Sequence, residues 1–414
     1  MAKLSTQFMG MELKNPVLAA PGPWTGTAEG LQAAIDAGAG AVMTETISQE
    51  VYPRLPQICY HEGGAVFSTS LYSNLTLEQW EVELEKLHPG DCKVIASIRG
   101  ATPSELAYVA RKAERMGVDA LQLDLYAPIG PVLAELYTSP DLIAALVSAV
   151  KKKVSLPLMV RLPHYVADNK KSLRALETAG ADGICTIESI RGISGVDIVN
   201  ARPLMPTHGG YTGTNVRPIT LSAIAALSQN SNLPVAATGG FDAAENVIEA
   251  IELGATTVML GSALLGGYGI ITETVRRLEE WLEKNGYGDI GALRGAALQY
   301  LRSYEEPRTI RNRPRRAIPG GAFFDMLGGV RCSGKAPAGR PGAAGAGRPE
   351  AALHSAERCG PAGALPAARA GDRRKRRLLC ALAKTQGLFW EDLFRPKTCK
   401  GGRYSVIYCV DSAK

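Results

Sequence analysis

Two glycine-containing pairs, each following an apolar run, are the strongest chemical signal in this sequence. Residues 234–265 read PVAATGGFDAAENVIEAIELGATTVMLGSALL, in which Gly239-Gly240 and Gly261-Ser262 each end an apolar segment. Glycine leaves backbone N–H groups accessible to a ligand, and the start of a helix favours an anion. The spacing therefore predicts a phosphate site, although glycines that only terminate loops would explain either pair alone.

Charged residues end other apolar segments, namely Glu45, Asp124, Arg161 and Glu188. A buried guanidinium needs an anionic or electron-rich partner. A salt bridge to Glu188 or Asp124 would meet that need, and so would a flavin ring whose negative charge the cation stabilises. Three convergent carboxylates suit a cationic substrate, with one of them acting as a general acid or base. Alternatively, they pair with arginines and the site is inactive.

Alternating strand and helix signals would position these residues. The turns AGAG, AGAD and LGAT each lead from a helix stop into a strand, which indicates repeated α/β units. Eight strands can be counted, which predicts an α/β protein with a (β/α)8 TIM barrel, whose ligands bind at the carboxyl ends of the strands. We expect the long segment Val51 to Leu75 to fold over the barrel mouth. The expected strand ends are Ala20, Glu45, Ile98, Asp124, Arg161, Glu188, Gly239 and Gly261.

The 414 residues suffice for one barrel and an appendage. We expect residues 1–300 to form the barrel and the charged, Pro-containing residues 301–319 to form a linker. Residues 320–414 are rich in Ala, Gly, Arg and Pro with almost no apolar periodicity, so we expect a low-complexity, disordered tail.

Composition argues against several other classes of protein. The net charge is +6 and the basic clusters lie mostly beyond residue 300, which does not indicate a nucleic-acid partner. Neither an apolar run of about 18 residues nor a signal-peptide core is present, so we expect a cytoplasmic protein without a membrane contact. The eight cysteines form no CxxC pair, and we expect no metal site.

Several segments together resemble the dihydroorotate dehydrogenase family. They are NPVLAAPG, VIASIRG, DALQLDLYAP, LMVRLPHY, HGGYTGTNVRPITLSAI and ATGG…GATTVMLGSAL, within about residues 4–300. The form YTGTNVRPITL is similar to the dihydropyrimidine dehydrogenase branch of that family. The resemblance implies FMN as the cofactor. It implies that the phosphate binds at Gly239, Gly240, Gly261 and Ser262, and that Ala20 and Gly22 lie behind the isoalloxazine ring. It also implies that Arg161 stands in place of a flavin-contacting Lys. Gly209, Gly210 and Gly213 would form a loop near the cofactor.

The resemblance breaks down in the substrate half of the site. Glu45 stands where the family has a Lys, Asp124 and Glu188 stand where it has Asn, and Ala127 replaces a catalytic Cys. Carboxylates in place of donors would repel an anionic dihydroorotate. Without the Cys, the proton donor would be Tyr126 or, in the next loop, His164 or Tyr165.

The resemblance implies an FMN-dependent oxidoreductase acting on CH–CH donors, which transfers a hydride between FMN and a small-molecule substrate other than dihydroorotate. The expected catalytic residues are Tyr126, Glu45, Asp124 and Glu188. The alternatives are a flavin-binding protein without catalysis, a true dihydroorotate or dihydropyrimidine dehydrogenase with replaced catalytic residues, and a barrel that binds a sugar phosphate. The electron acceptor stays open, and a homodimer is one possible assembly.

Overall fold

The structure is a computed structural model. It describes residues 2–51, 58–69, 72–125, 139–302 and 406–408. Tyr126, Ala127, the predicted linker beyond residue 302 and the predicted tail other than residues 406–408 lie outside the described residues.

Eight parallel strands close into a barrel in chain order, as the sequence predicts. The barrel closes where Leu260 of the last strand pairs with Ala19 of the first. The second strand ends two residues before Glu45, because the Glu45 N–H donates to the carbonyl of Thr25 at 3.1 Å instead of extending the ladder. The strands are Val17–Ala19, Ala41–Met43, Lys93–Ile98, Ala120–Asp124, Leu158–Leu162, Gly183–Thr186, Val235–Thr238 and Thr257–Leu260.

In the residues that the structure describes, eight α-helices connect or follow these strands, and short polar side chains begin several of them. Thr102 accepts a hydrogen bond from the Glu105 N–H at 3.2 Å and thereby satisfies one N-terminal donor. Gly180 ends another helix with a φ of 91°, a conformation that favours glycine. The helices are Ala28–Asp36, Leu77–Glu85, Pro103–Arg115, Pro140–Lys151, Lys170–Ala179, Arg217–Asn230, Ala244–Glu252 and Gly269–Asn285. Within the described part of the chain, none has the length and apolar character needed to span a bilayer.

The barrel mouth carries a second, antiparallel sheet. In spatial order its strands are Ile190–Gly192, Gly209–Gly213, Ala65–Ser68, Ile58–Glu62 and Val406–Tyr408. The resemblance implies that Gly209, Gly210 and Gly213 form a loop. They are instead part of a strand, since Gly210 pairs with Ser68 and Gly213 with Ala65. The predicted segment Val51 to Leu75 contributes Ser68 to the cleft described below.

The remaining described strands form two small hairpins, and short 3-10 helices follow several barrel strands. The hairpin of Thr6–Phe8 and Met11–Leu13 packs Phe8 and Leu13, both fully buried, against the inward-facing residues of the barrel. Val196–Asp197 pairs with Arg202–Pro203. The 3-10 helices are Pro23–Thr25, His164–Val166, Thr214–Val216, Ser262–Gly266, Ile290–Leu293 and Leu298–Tyr300.

A layer of apolar side chains joins the helices to the outside of the barrel. It includes Leu31, Trp80, Leu121 and Leu146, and Trp80 donates its indole N–H to the Ser73 hydroxyl at 2.9 Å. Fully burying a side chain of this kind contributes roughly 1.5–3 kcal/mol. This layer holds each helix against its strand and fixes the loops at the barrel mouth.

Two leucines of one helix test this packing. Leu146 is 2% exposed and Leu142 is 37% exposed, both in Pro140–Lys151. We expect Leu146→Ala to lower the free energy of unfolding by about 2–4 kcal/mol, through lost apolar burial and the cavity left behind. Leu142→Ala should cost less than about 1 kcal/mol. Urea denaturation of both variants measures the difference, and equal losses would contradict the assigned packing.

Candidate active site

An open cleft lies at the carboxyl ends of the barrel strands, where the fold predicts a ligand site. Its empty volume is about 850 Å³, counted out to its open mouth. Every barrel strand except Lys93–Ile98 contributes a residue from its carboxyl end or from the loop that follows, and the sheet over the mouth adds further lining residues. The lining residues are Ala20, Pro21, Gly22, Trp24, Glu45, Thr46, Ser68, Asp124, Arg161, Ile187, Glu188, Ser189, Gly210, Thr212, Val216, Thr238, Gly239, Gly261 and Ser262.

Most of the residues singled out in the sequence meet in this cleft. Gly240 and Gly213 are not among the lining residues. A Cβ on Gly240 would lie 2.7 Å from the Arg217 nitrogen, and one on Gly213 would lie 2.2 Å from the Gly64 carbonyl oxygen, so both glycines pack against neighbouring backbone. The residues singled out in the sequence that do line the cleft are Ala20, Gly22, Glu45, Asp124, Arg161, Glu188, Gly210, Gly239, Gly261 and Ser262.

Two glycines in the cleft wall differ in the space around them. Gly239 has a φ of 116°, and a Cβ there would lie 2.6 Å from the Thr220 hydroxyl oxygen. A Cβ on Gly261 would project toward Trp24 and Ala20, with nearest atoms at 3.5 and 3.6 Å, and would fill part of the cleft. Both positions therefore present bare backbone to whatever the cleft holds.

Trp24 lines the cleft, and the sequence reasoning missed it. Its ring covers Gly22, where a Cβ would lie 2.4 Å from a ring carbon, and its indole N–H donates to the Ala20 carbonyl at 2.6 Å. Tyr268 donates its hydroxyl to the Trp24 carbonyl at 2.5 Å. The sequence contained a signal for Trp24, because this residue follows Ala20, the expected end of the first strand, by only four residues.

Arg161 and Glu188 form a nearly buried ion pair in the cleft. The Arg161 Nε lies 2.8 Å from the Glu188 Oε2, and their side chains are 12% and 7% exposed. The salt bridge that was one of two alternatives for Arg161 is thus present. The other Glu188 oxygen accepts hydrogen bonds from the Ser189 N–H at 2.8 Å and hydroxyl at 3.0 Å.

Burial raises the pKa of Glu188 to about 7. Desolvation is the largest cause; Arg161 opposes it, and the negative charge of nearby Asp124 adds to it. A carboxyl group with such a pKa can hold or release a proton near neutral pH.

The other candidate acids and bases differ in their surroundings. Asp124 is 5% exposed and accepts a hydrogen bond from the Thr46 hydroxyl at 3.1 Å. Glu45 is 7% exposed. His164 and Tyr165 stack edge to face with their centroids 5.4 Å apart, and neither is among the described lining residues. Among the described side chains, no group of three or more His, Cys, Asp or Glu could hold a metal ion.

The barrel and its cleft define a (β/α)8 protein with a ligand site at the carboxyl ends of the strands. The family model for dihydroorotate dehydrogenase matches residues 3–282. The catalytic subunit of dihydroorotate dehydrogenase B (NAD(+)) from Pyrococcus abyssi is 32% identical over 305 residues, which are 72% of this chain and 99% of the relative. The subunit of the same name from Methanosarcina mazei is 33% identical over 293 residues, 70% of this chain and 93% of the relative. The chain belongs to the dihydroorotate dehydrogenase family, a family of oxidoreductases, which confirms the resemblance seen in the sequence.

A solved structure shares the fold. A dihydroorotate dehydrogenase from Eimeria tenella, in complex with ferulenol, superposes with a TM-score of 0.60 at 16% identity, over 71% of this chain and 88% of that one. At this identity the similarity establishes the barrel architecture alone.

The raised pKa of Glu188 predicts a pH-dependent stability. Because the pKa in the folded protein lies above the usual value of 4.5, the stabilisation is complete below about pH 4.5 and is lost as the pH rises to about 7. We expect the wild-type protein to lose about 1–3 kcal/mol more unfolding free energy between pH 5 and pH 8 than Glu188→Gln does. Urea denaturation at the two pH values measures this. Parallel pH dependences in the two proteins would contradict the assignment.

Proposed function

We propose that this protein is an FMN-dependent oxidoreductase acting on CH–CH donors, which transfers a hydride between a small-molecule substrate and FMN. One observation carries the proposal: the glycine strand ends Gly239 and Gly261, the guanidinium of Arg161 and the carboxylates line a single cleft. Membership in the family supports the same class of chemistry.

The residues present fit FMN. The bare backbone at Gly239 and Gly261, with Ser262 beside them, suits a phosphate group, because N–H groups can approach an anion there without steric hindrance. Ala20 and Gly210 are small lining residues at which a planar ring could pack, and the Trp24 ring, which covers Gly22, adds an aromatic surface. We propose that Gly240 and Gly213 support these loops from behind.

The ion pair gives the cleft an adjustable positive charge. While Glu188 is ionised, it balances the charge of Arg161 at 2.8 Å. Protonation of Glu188, whose pKa is about 7, leaves the guanidinium charge unbalanced within the pair. Arg161 can then stabilise negative charge that develops beside it.

The charge of the cleft supports a substrate other than dihydroorotate. Among the described lining residues, the carboxylates Glu45, Asp124 and Glu188 accompany one guanidinium, that of Arg161. An anionic carboxylate would meet like charges in a partly desolvated site, which disfavours its binding.

The proposed reaction divides into a hydride and a proton. Oxidation of a CH–CH unit removes both, and FMN, when bound, supplies the acceptor for the hydride. A carboxylate among Glu45, Asp124 and Glu188 takes the proton, and Tyr126 remains a catalytic candidate from the sequence alone. The names of the relatives, catalytic subunits of an NAD(+) enzyme, support a separate subunit as the electron acceptor here.

A flavin-binding protein without catalysis is the second candidate. The Arg161–Glu188 contact favours it, because two cleft charges satisfy each other without a substrate. Reduction of the bound flavin by a small-molecule donor under anaerobic conditions would support the enzyme, whereas a flavin that no donor reduces would support the second candidate.

Ser262 tests the phosphate position. We expect Ser262→Asp to weaken FMN binding at least tenfold, because two like charges about 4 Å apart near a protein surface repel each other by about 4 kcal/mol and about 1.4 kcal/mol is already tenfold. Ser262→Asn, of similar size but neutral, should bind FMN much more tightly than the Asp variant. Titration of apoprotein with FMN, followed by flavin fluorescence, measures both. Equal affinities of the two variants would show that the phosphate binds elsewhere.

Dihydroorotate itself tests the proposed change of substrate. We expect no anaerobic flavin reduction by dihydroorotate in the unmodified protein, because carboxylates stand where donors are needed. The variant Glu45→Lys, Asp124→Asn, Ala127→Cys and Glu188→Asn should gain measurable reduction. Flavin absorbance in a stopped-flow instrument provides the readout. Rapid reduction of the unmodified protein would instead assign dihydroorotate as the substrate.

A further inference from the structure

A line of buried hydrogen bonds runs through the barrel interior to Asp124. The Gln122 Nε2 lies 3.1 Å from the Ser97 Oγ, the Ser97 Oγ lies 2.8 Å from the Thr46 Oγ1, and the Thr46 Oγ1 lies 3.1 Å from the Asp124 Oδ2. Exposures are 0% for Gln122 and Ser97, 3% for Thr46 and 5% for Asp124. Thr46 and Asp124 line the cleft, so the line begins in the core and ends at the ligand site.

The chemistry of each group gives this line a direction. The Gln122 amide nitrogen can only donate, so the Ser97 oxygen accepts from it and turns its own hydrogen toward Thr46. The Thr46 oxygen accepts that hydrogen and donates its own to Asp124. All three hydrogens point toward the Asp124 Oδ2, which must then be an acceptor.

The opposite direction requires a different protonation state. If Asp124 were protonated on Oδ2, it would donate to Thr46, Thr46 to Ser97, and Ser97 to a reversed Gln122 amide whose oxygen accepts. A proton on the Asp124 Oδ2 would therefore reverse the line, whereas the ionised carboxylate accepts at Oδ2 in the direction described. The Gln122 nitrogen is placed against Ser97, which is the arrangement in which the Asp124 Oδ2 carries no proton.

We propose that Thr46, supported by Ser97 and Gln122, is a positioning residue that holds Asp124 in the cleft as an ionised hydrogen-bond acceptor, so that the ligand group bound beside Asp124 is an N–H or O–H donor. The inference rests on the proposed function only in taking the cleft as the substrate site. Thr46, Ser97 and Gln122 lie on the core side of Asp124, and a charge-assisted hydrogen bond to a carboxylate is stronger than a neutral one.

The surroundings of Asp124 show why its charge needs support. Glu45 and Glu188 line the same cleft and Arg161 is paired with Glu188. The negative charge of Asp124 contributes to the raised pKa of Glu188. Two carboxyl groups with different hydrogen-bond partners can thus divide the roles, with Asp124 as the acceptor and Glu188 as the group that holds a proton.

The test removes the hydroxyl while keeping the shape of the side chain. We expect the titration midpoint of the Asp124 carboxyl ¹³C resonance, assigned with Asp124→Asn, to rise by about one pH unit or more in Thr46→Val. Thr46→Ser should restore it. Thr257→Val is the matched control, because Thr257 is a fully buried barrel threonine whose hydroxyl has no hydrogen-bond partner among the described residues. The titration midpoint of Asp124 in Thr257→Val should equal that in the wild-type protein.

A second variant keeps the inference testable if Thr46→Val fails to fold. Ser97→Ala interrupts the line one residue earlier and should raise the same midpoint by a smaller amount. An unchanged midpoint in folded Thr46→Val or Ser97→Ala would overturn the proposal, as would an Asp124 that is protonated at neutral pH in the wild type. These titrations use protein without FMN or substrate, so they stand whether or not the proposed function does.

Two small probes test the ligand chemistry. Methylguanidinium, which only donates hydrogen bonds, should shift the Asp124 resonance at a lower concentration than acetate, which only accepts them. Thr46→Val should reduce that preference. An equal or greater effect of acetate would contradict the assignment of Asp124 as an ionised acceptor.

Discussion

Closure of the parallel barrel is the constraint on which the rest of the structure depends. The pairing of Leu260 with Ala19 joins the last strand to the first and places all strand ends on one face. Residues far apart in the sequence, such as Glu45 and Gly261, thereby line one cleft. A parallel strand needs a crossover before the next, so the helices between strands follow from the same constraint.

The cleft combines features that oppose each other energetically. Taking charged groups out of water is costly, and the ion pair of Arg161 and Glu188 offsets part of that cost through its 2.8 Å contact. Burial nevertheless raises the pKa of Glu188 to about 7. Asp124 lies in a different environment, at the end of a line of hydroxyl groups. This difference would let neighbouring carboxyl groups serve different purposes in one site.

The sequence predicts the barrel well because its signals are local. Lys93–Ile98 and Ala120–Asp124 end at Ile98 and Asp124, the strand ends that the sequence predicts. Gly209–Gly213 forms a strand instead of the implied loop, because its partner Ala65–Ser68 lies about 140 residues away and leaves no local signal.

The site was predictable to a similar extent. Residues at strand ends meet in the cleft because barrel geometry brings them there, and the pair of Arg161 with Glu188 was one of two alternatives drawn from charge alone. The positions of Trp24, Ser97 and Gln122 in or behind the cleft depend on three-dimensional packing. Ser97 and Gln122 look like ordinary core positions in the sequence, and only their hydrogen bonds connect them to Asp124.

We propose that this cleft holds FMN. The most direct test is the visible absorbance spectrum of the purified full-length protein, followed by acid release and identification of any bound chromophore. We expect flavin absorbance bands and an equimolar amount of FMN, or tight binding of added FMN to protein purified without it. A colourless protein that binds no FMN, or one from which FMN is displaced by a simple sugar phosphate at similar concentration, would contradict FMN as the cofactor.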